Sequence, residues 1–192
     1  MTSATNSALE TIVAELTEAA AHVDAQQTNA LSEAIVAARR VYLTGAGRSG
    51  LIGRAFANRL LHLGVPVAVV GEPTTPPLAA GDLLIAVSGS GRTSSLLASA
   101  QKAKDLGAAV ATITLSPQGP IAALCDVAVV LPGTTRLARD TGSAQEVAPS
   151  AQPVGSLFEQ LAWLVCDSVV MDVRERTGQT NDDLIARHAN LE

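Results

Sequence analysis

A short stretch of hydroxyl side chains and glycines has the residue types that bind an anion. It lies within LLIAVSGSGRTSSLLASA, residues 83–100. Its hydroxyls can donate to phosphate oxygens, and its glycines let the backbone approach a ligand without a Cβ in the way. An ordinary capped turn favours the same residues, but three hydroxyls within six positions favour a phosphate site. The candidate residues are Ser88, Gly89, Ser90, Gly91 and Thr93.

These residues, which we call the Ser-Gly turn (88–93), connect a predicted strand to a predicted helix. Residues 83–87 are apolar and too few for a buried helix, so we predict a buried parallel strand. Apolar residues then recur at helical spacing, and Thr93 is placed to cap the helix. The first N–H groups and the positive end of the helix dipole therefore point into the turn, where an anion would bind.

A second glycine-rich turn, GAGRSG at residues 45–50, follows a predicted strand over 41–44 and precedes a predicted helix. It matches G-x-G-x-x-G, the pattern of dinucleotide-binding turns. Glu72 follows the next predicted strand, 67–70, at about the spacing of an acid that binds a ribose hydroxyl. A dinucleotide site would use Gly45, Gly47, Gly50 and Glu72.

A phosphorylated sugar is the alternative ligand for the same turn. Arg48 would then supply positive charge, and Ser49 a hydroxyl, toward the anion held by the Ser-Gly turn. A nicotinamide enzyme has no evident need for hydroxyls after the third strand, so we favour the phosphosugar interpretation.

The pattern of elements predicts an α/β protein. Residues 5–38 have helical periodicity, with a second helix starting at 28–31, and strands are predicted at 109–115 and 127–131 around a short helix at 120–124. We expect a three-layer α/β/α sandwich with a mostly parallel, roughly five-stranded sheet. Its ligand would lie beyond the carboxyl ends of the strands.

We expect a single domain with four parts. An N-terminal helical arm (1–38), packed on its own domain or on a partner subunit, precedes the core sheet and helices (39–131). Residues 132–154 lack apolar periodicity and form a long loop, either functional or partly disordered. C-terminal helices fill 155–192.

The predicted helix over 155–173 has a wide apolar stripe and an acid, Glu159, near its start. Such an acid either complements the helix dipole in solvent or, if buried beside a ligand, acts as a general base. Residues 180–183 resemble a capping box, and His188 follows near the terminus, where a lone histidine is normally a surface residue. The stripe comprises Leu157, Phe158, Leu161, Ala162, Trp163, Leu164, Val165 and Val169.

Composition narrows the function classes. The 192 residues are 47% apolar and carry a net charge of −5 without long runs of one sign, so no nucleic-acid-binding footprint is indicated. Cys125 and Cys166 lie in apolar surroundings without metal-ligand spacing, which indicates free thiols in a reducing compartment and no metal. The absence of Lys or Arg before Arg39 and of an 18-residue apolar run predicts a cytoplasmic protein that binds no membrane.

Four segments, GAGRSG, SGSGRTS, GSLFEQ and the terminal RHANLE, resemble the sugar isomerase (SIS) superfamily, and most closely its 6-phospho-3-hexuloisomerases. The resemblance extends from about residue 30 to the end of the chain. It implies interconversion of D-arabino-hex-3-ulose 6-phosphate and fructose 6-phosphate, a step of the ribulose monophosphate pathway of formaldehyde fixation. It also implies that no metal or organic cofactor is used.

The resemblance also implies roles for individual residues. Glu159 corresponds to the catalytic acid, and His188 to a terminal histidine that related isomerases take from a neighbouring subunit. A homodimer or homotetramer with composite sites is therefore expected. Gly47 and Arg48 would contact the substrate. The residues implied in phosphate binding are Ser49, Ser88, Ser90 and Thr93, with the backbone N–H groups of Gly89 and Gly91.

Besides the dinucleotide enzyme, two other functions remain open at this point. Another phosphosugar isomerase of the superfamily would keep the same turns and the same acid. A non-catalytic phosphosugar-binding protein would keep the turns but usually has a DNA-binding module. About 40 residues of acidic, Arg-poor helix precede the first strand, which leaves no room for one.

Overall fold

A parallel β-sheet forms the centre of the computed structural model, which describes residues 4–133 and 150–190. Within these residues the sheet has five strands in the order β2-β1-β3-β4-β5, and every neighbouring pair is parallel. The prediction of a mostly parallel sheet of about five strands is confirmed. The strands are β1 (Val41–Gly45), β2 (Val67–Val69), β3 (Leu83–Val87), β4 (Ala109–Thr114) and β5 (Val127–Val130).

Helices cover both faces of the sheet, which confirms the three-layer α/β/α architecture. Four helices, α1, α2, α3 and α5, form the thicker layer, and α4 with a short 3₁₀ turn covers the opposite face. The described helices are α1 (Ala4–Ala20), α2 (Ala25–Ala37), α3 (Gly47–His62), α4 (Ser94–Asp105), α5 (Ser156–Thr177) and α6 (Asn181–Ala186).

The strands supply alternate side chains to the two helical layers, because successive residues of a strand face opposite sides of the sheet. Val41 and Leu43 of β1 join the core cluster with α2, α3 and α5, whereas Tyr42 between them joins the cluster with α4. Every residue of β3 is buried, as expected for a central parallel strand between two layers.

The N-terminal arm packs on its own domain. Leu31 and Ile35 of α2 are buried in the same core cluster as α5. The predicted start of α2 at 28–31 is wrong, since the helix begins at Ala25. Asp24 caps it by accepting a hydrogen bond from the N–H of Gln26 at 2.8 Å, so the polar residues after Asp24 are already helical although they carry no apolar signal.

Other boundaries also differ from the sequence prediction. Helix α3 begins at Gly47, so Arg48 and Ser49 lie in its first turn instead of in a loop before it. The predicted helix at 120–124 is a single 3₁₀ turn, Ala122–Leu124. Most of the loop predicted at 132–154 lies outside the described residues.

The C-terminal elements agree with the prediction more closely. Helix α5 runs four residues beyond its predicted end, and the capping box at α6 is present, because Thr180 and Asp183 each bind the other's backbone N–H. Within 4–133 and 150–190, none of the helices combines the length and apolar character needed to cross a bilayer.

A buried carboxylate fixes the loop that leads into β3. Asp82 accepts hydrogen bonds from Arg39 Nε at 3.0 Å and Nη2 at 3.1 Å, and from the N–H of Ala79 at 2.9 Å. Burial alone would raise the pKa of Asp82, but the hydrogen bonds from Arg39 and Ala79 outweigh it, so the pKa lies below its ordinary value.

We expect Asp82→Asn to lower the free energy of unfolding by about 1.5–3 kcal/mol at neutral pH, because charge-assisted hydrogen bonds are lost. A depressed pKa contributes stability that is present above the unfolded-state value and is lost as pH falls through the folded-state value. The difference should therefore shrink below about pH 4. Urea unfolding at several pH values measures the difference in the free energy of unfolding between wild type and Asp82→Asn. Substitution of an exposed acid, Asp105→Asn, is the control. Equal stabilities at neutral pH would contradict this role for Asp82.

Candidate functional site

Three of the described helices begin at one small cavity beyond the carboxyl ends of β1 and β3. The N-cap residues of α3, α4 and α5, which are Ala46, Thr93 and Gly155, all line this cavity of about 190 Å³. In the described chain none of them caps its helix with its own side chain. Helix starts leave N–H groups without intrahelical partners and carry the positive end of the dipole. Their convergence produces an anion-binding site.

The four predicted hydroxyl residues line this cavity, which we call the hydroxyl cavity. Ser49 comes from the first turn of α3, and the other three come from the turn between β3 and α4. Ser88 is 4% exposed, and its N–H continues the sheet by donating to the carbonyl of Ile113 at 3.0 Å. Hydroxyls that the sequence separates by about 40 residues therefore face one ligand-sized space.

The two glycines of the Ser-Gly turn have different positions. Gly89 lines the hydroxyl cavity, and a Cβ there would lie 3.1 Å from the ring of Phe158. Gly91 adopts a φ of +61°, and its N–H donates to the carbonyl of Ser88 at 3.1 Å. In this structure the Gly91 amide, expected to contact phosphate, is engaged inside the turn.

The glycines of GAGRSG are explained by close packing of a strand against a helix. A Cβ on Gly45 would lie 2.9 Å from Gly50 Cα, and a Cβ on Gly50 would lie 2.7 Å from the carbonyl oxygen of Gly45. Gly47 has a φ of +57° at the start of α3. Glu72, which the dinucleotide interpretation would place on a ribose, forms an ion pair with Arg54 of α3.

Glu159 faces the ligand space and not only solvent. It lies in the first turn of α5, lines the hydroxyl cavity and has a side chain that is 17% exposed. The guanidinium of Arg48 donates from Nε to its carboxylate, and the Arg48 side chain is 68% exposed. The cavity therefore combines four hydroxyls with a carboxylate that can accept a proton and a cation beside that carboxylate.

His188 lies in a different cavity of the same chain. Its ring stacks on His62, with ring centroids 4.0 Å apart and planes inclined by 24°. Both rings line a cavity of about 480 Å³ between α3 and α5, together with Arg59 and Asp167, which we call the histidine cavity. Burial, followed by the nearby His188 and Arg59, lowers the pKa of His62. Glu159 lines the hydroxyl cavity, whereas His188 lines the histidine cavity.

An apolar groove of about 440 Å³ lies between these two cavities. It includes Arg48 and Glu159 at the hydroxyl cavity, and Trp163, which also lines the histidine cavity. Trp163 and Leu164 are 46% and 49% exposed. The apolar stripe predicted for α5 is thus only partly buried, because these two side chains line the groove instead of packing in the core.

Some site residues were not found from the sequence. Ala46 and Gly155 line the hydroxyl cavity as N-caps, and Phe158 closes it against Gly89, although the sequence pattern assigns it only to the core. A glycine directly before a predicted helix is the sequence signal that could have identified Gly155 as an N-cap residue of the site. Over residues 4–133 and 150–190, no group of three or more His, Cys, Asp or Glu side chains could hold a metal.

The sequence model of the SIS domain family matches residues 34–139 of this chain. These residues include β1 to β5, GAGRSG, the Ser-Gly turn and the starts of α3 and α4. The chain belongs to the SIS domain family. Glu159 and His188 lie beyond the matched SIS domain residues, so their assignment depends on full-length relatives.

Full-length relatives of this SIS domain protein are named 3-hexulose-6-phosphate isomerase. One from Bacillus subtilis (strain 168) is 40% identical over 181 residues, which cover 94% of this chain and 95% of the relative. One from Mycobacterium gastri is 43% identical over 93% of this chain and 86% of its own. A crystal structure from Methanococcus jannaschii, for which the same function was inferred, has a TM-score of 0.79 at 31% identity and covers 97% of this chain and 99% of its own.

We expect inorganic phosphate to bind in the hydroxyl cavity and Ser88→Ala to weaken its binding. Loss of one hydrogen bond to a charged group costs about 1.5–3 kcal/mol, which corresponds to roughly a ten- to hundredfold increase in Kd. Isothermal titration calorimetry measures the affinity. Ser99→Ala, further along α4, is the matched control and should leave Kd unchanged. Equal affinities of wild type and Ser88→Ala would exclude this location.

Proposed function

We propose that this chain is a 3-hexulose-6-phosphate isomerase, which interconverts D-arabino-hex-3-ulose 6-phosphate and fructose 6-phosphate. The observation that carries the proposal is that the carboxylate of Glu159 lines the same cavity as four hydroxyls and three helix starts. Relatives with this name, similar over more than nine-tenths of the chain, support it.

The phosphate group of the substrate would be held by the hydroxyl cavity. Its oxygens would accept hydrogen bonds from the serine and threonine hydroxyls and from first-turn N–H groups of α3, α4 and α5. This end of the substrate does not react. Binding energy realised there would orient the C2–C3 bond toward Glu159, so loss of the hydroxyls would reduce turnover as well as affinity.

Glu159 would transfer the proton between carbons. Its carboxylate would take the proton from C2 of the 3-ketose, and the C–H electrons would form a C2=C3 enediol as the C3 carbonyl oxygen accepts a proton from His188. His188 would then take the O2 proton, which restores a carbonyl at C2, and Glu159 would return its proton to C3. Atoms balance without a redox partner or metal, so no cofactor is proposed.

Arg48 would balance the charge that develops on the enediol oxygens. In the structure its guanidinium pairs with Glu159, and its side chain is 68% exposed. A fixed cation beside a developing oxyanion stabilises the transition state. Gly47, which begins α3 immediately before Arg48, would let the backbone pass close to the substrate.

We also propose a homodimer or homotetramer with composite sites. The exposed groove beside Glu159 is lined by apolar residues, including Leu51, Trp163 and Leu164, and contiguous exposed apolar surface often marks an interface. His188 lies in the histidine cavity of its own chain. In the proposed assembly, His188 of the partner subunit would enter the groove and move protons at the substrate oxygens.

We place the protein in the cytoplasm, in the pathway that assimilates formaldehyde through ribulose monophosphate. Both cysteines are free thiols. Burial raises the pKa of Cys125 to about 12, and burial also raises the pKa of Cys166 above its ordinary value. Such thiols are suited to a reducing compartment and do not act as nucleophiles.

We expect Glu159→Gln to lower kcat at least about a hundredfold, because the amide keeps the shape of the carboxylate but cannot accept a proton from carbon. Formation of fructose 6-phosphate from the 3-ketose, measured by NMR in the presence of a chelator, tests the activity and the variant together. Glu72→Gln, which changes an acid outside the cavity, is the control. Full activity of Glu159→Gln would contradict the proposed base, and a panel of other ketose and aldose phosphates tests the substrate assignment.

We expect Glu159→Gln and His188→Ala, each nearly inactive alone, to recover part of the wild-type rate when their subunits are exchanged. In a mixed oligomer, some sites would combine an intact Glu159 from one chain with an intact His188 from another. Mass spectrometry checks the exchange, and each variant mixed with itself is the control. If exchange occurs without recovery, both residues act within one subunit and the composite site is wrong.

A further inference from the structure

The segment that leads into α5 is held by an acid of the N-terminal arm. Glu15 of α1 accepts hydrogen bonds from the Ser150 hydroxyl at 2.6 Å, the Ala151 N–H at 2.7 Å and the Gln152 side-chain amide at 2.9 Å. These bonds occupy both carboxylate oxygens. The hydrogen bond from Ser150, then those from Gln152 and Ala151, lower the pKa of Glu15, so it is ionised at neutral pH.

Only three residues separate this anchored segment from α5. The carbonyl of Pro153 accepts the N–H of Ser156 at 3.0 Å, and proline fixes its own φ. Three residues span at most about 11 Å. A displacement of residues 150–152 larger than this connection can absorb would therefore also move Gly155 and the first turn of α5.

The start of α5 has no cap of its own. Gly155, its N-cap, has a φ of +92° and offers no side chain to the first N–H groups. Glycine is also the residue with the greatest backbone freedom. Glu159 lies one turn further on, and its N–H donates to the carbonyl of Gly155 at 3.0 Å. The position of the carboxylate thus depends on where the chain enters the helix.

From this geometry we infer that Glu15 is a positioning residue, which holds the start of α5 so that Glu159 faces the hydroxyl cavity. The inference rests on the proposed isomerase function for its kinetic consequence. In the proposed function, the side chains that contact phosphate come from the start of α3 and from the Ser-Gly turn. Among the described contacts, Glu15 touches neither of these. Loss of Glu15 should therefore affect proton transfer more than phosphate binding.

The test compares Glu15→Gln with Glu18→Gln, an exposed acid one turn further along the same helix. The amide introduced by Glu15→Gln keeps one acceptor oxygen and turns its N–H donors toward Ser150 and Gln152. We expect kcat of Glu15→Gln to fall roughly ten- to a hundredfold, the loss typical of a small displacement of a reacting group. The inhibition constant for inorganic phosphate should rise by a clearly smaller factor than kcat falls, because α5 supplies only part of the phosphate site, and Glu18→Gln should resemble wild type.

A double-mutant cycle with Ser150→Ala separates positioning from general stabilisation of α1. Because both changes remove the same anchor, the double variant should be little worse than Glu15→Gln alone. Ser150→Ala also serves if Glu15→Gln fails to fold. Additive losses, a parallel rise of the phosphate inhibition constant, or kcat within about twofold of wild type would overturn the inference.

Hydrogen exchange provides a readout that does not depend on activity. The amides of residues 156–160 should exchange faster in Glu15→Gln, whereas those of α4 should be unchanged. If wild type does not isomerise the 3-ketose, the proposed function fails and exchange still tests the anchor. If wild type is active and protection of 156–160 is the same in both proteins, the inference about Glu15 alone is wrong.

Discussion

The backbone contact between Gly45 and Gly50 is the constraint on which the site depends. A Cβ at either position would approach backbone atoms of the other to 2.9 Å or less, closer than real side chains pack. This contact lets α3 begin almost directly after β1, with a single residue, Ala46, between them. The first turn of α3 is thereby held at the carboxyl ends of the strands. Ser49 lines the same cavity there as the hydroxyls of the Ser-Gly turn. A dinucleotide-binding turn requires similar glycines, which is why the two functions share a sequence pattern.

Much of the fold, and the grouping of the hydroxyl side chains around one cavity, could be predicted because their signals are local. An apolar strand, a turn of Ser and Gly and an amphipathic helix specify one strand-to-helix unit, and parallel strands bring the ends of two such units to one edge. Ser49 and Ser88 were therefore placed correctly in one cavity without any knowledge of long-range contacts. The predicted start of α2 is wrong because a single polar cap, Asp24, determines it and apolar periodicity does not.

The remaining features could not be predicted, since they join residues that are distant in sequence. The bonds from residues 150–152 to Glu15 and the stacking of His188 on His62 each cross more than 100 positions. Neither pair has a residue type or spacing that marks it as a pair. The role of the start of α5 in the site could not be predicted either, because a glycine that precedes a helix can belong to a turn, a linker or a site. Gly155 and Phe158 reach the cavity through long-range contacts, which include the packing of α5 against α3 and the sheet.

The order of the elements along the chain means that the hydroxyl residues of the site and Glu159 are synthesised at different times. The five described strands and both glycine-rich turns precede α5 in the sequence, so a ribosome releases Glu159 only after the four hydroxyl residues of the cavity have been synthesised. Helix α5 then packs against α2 and α3, more than 90 residues earlier, and such distant contacts form late and slowly during folding. A nascent chain therefore carries the hydroxyl residues of the cavity before it carries the Glu159 carboxylate that completes its lining.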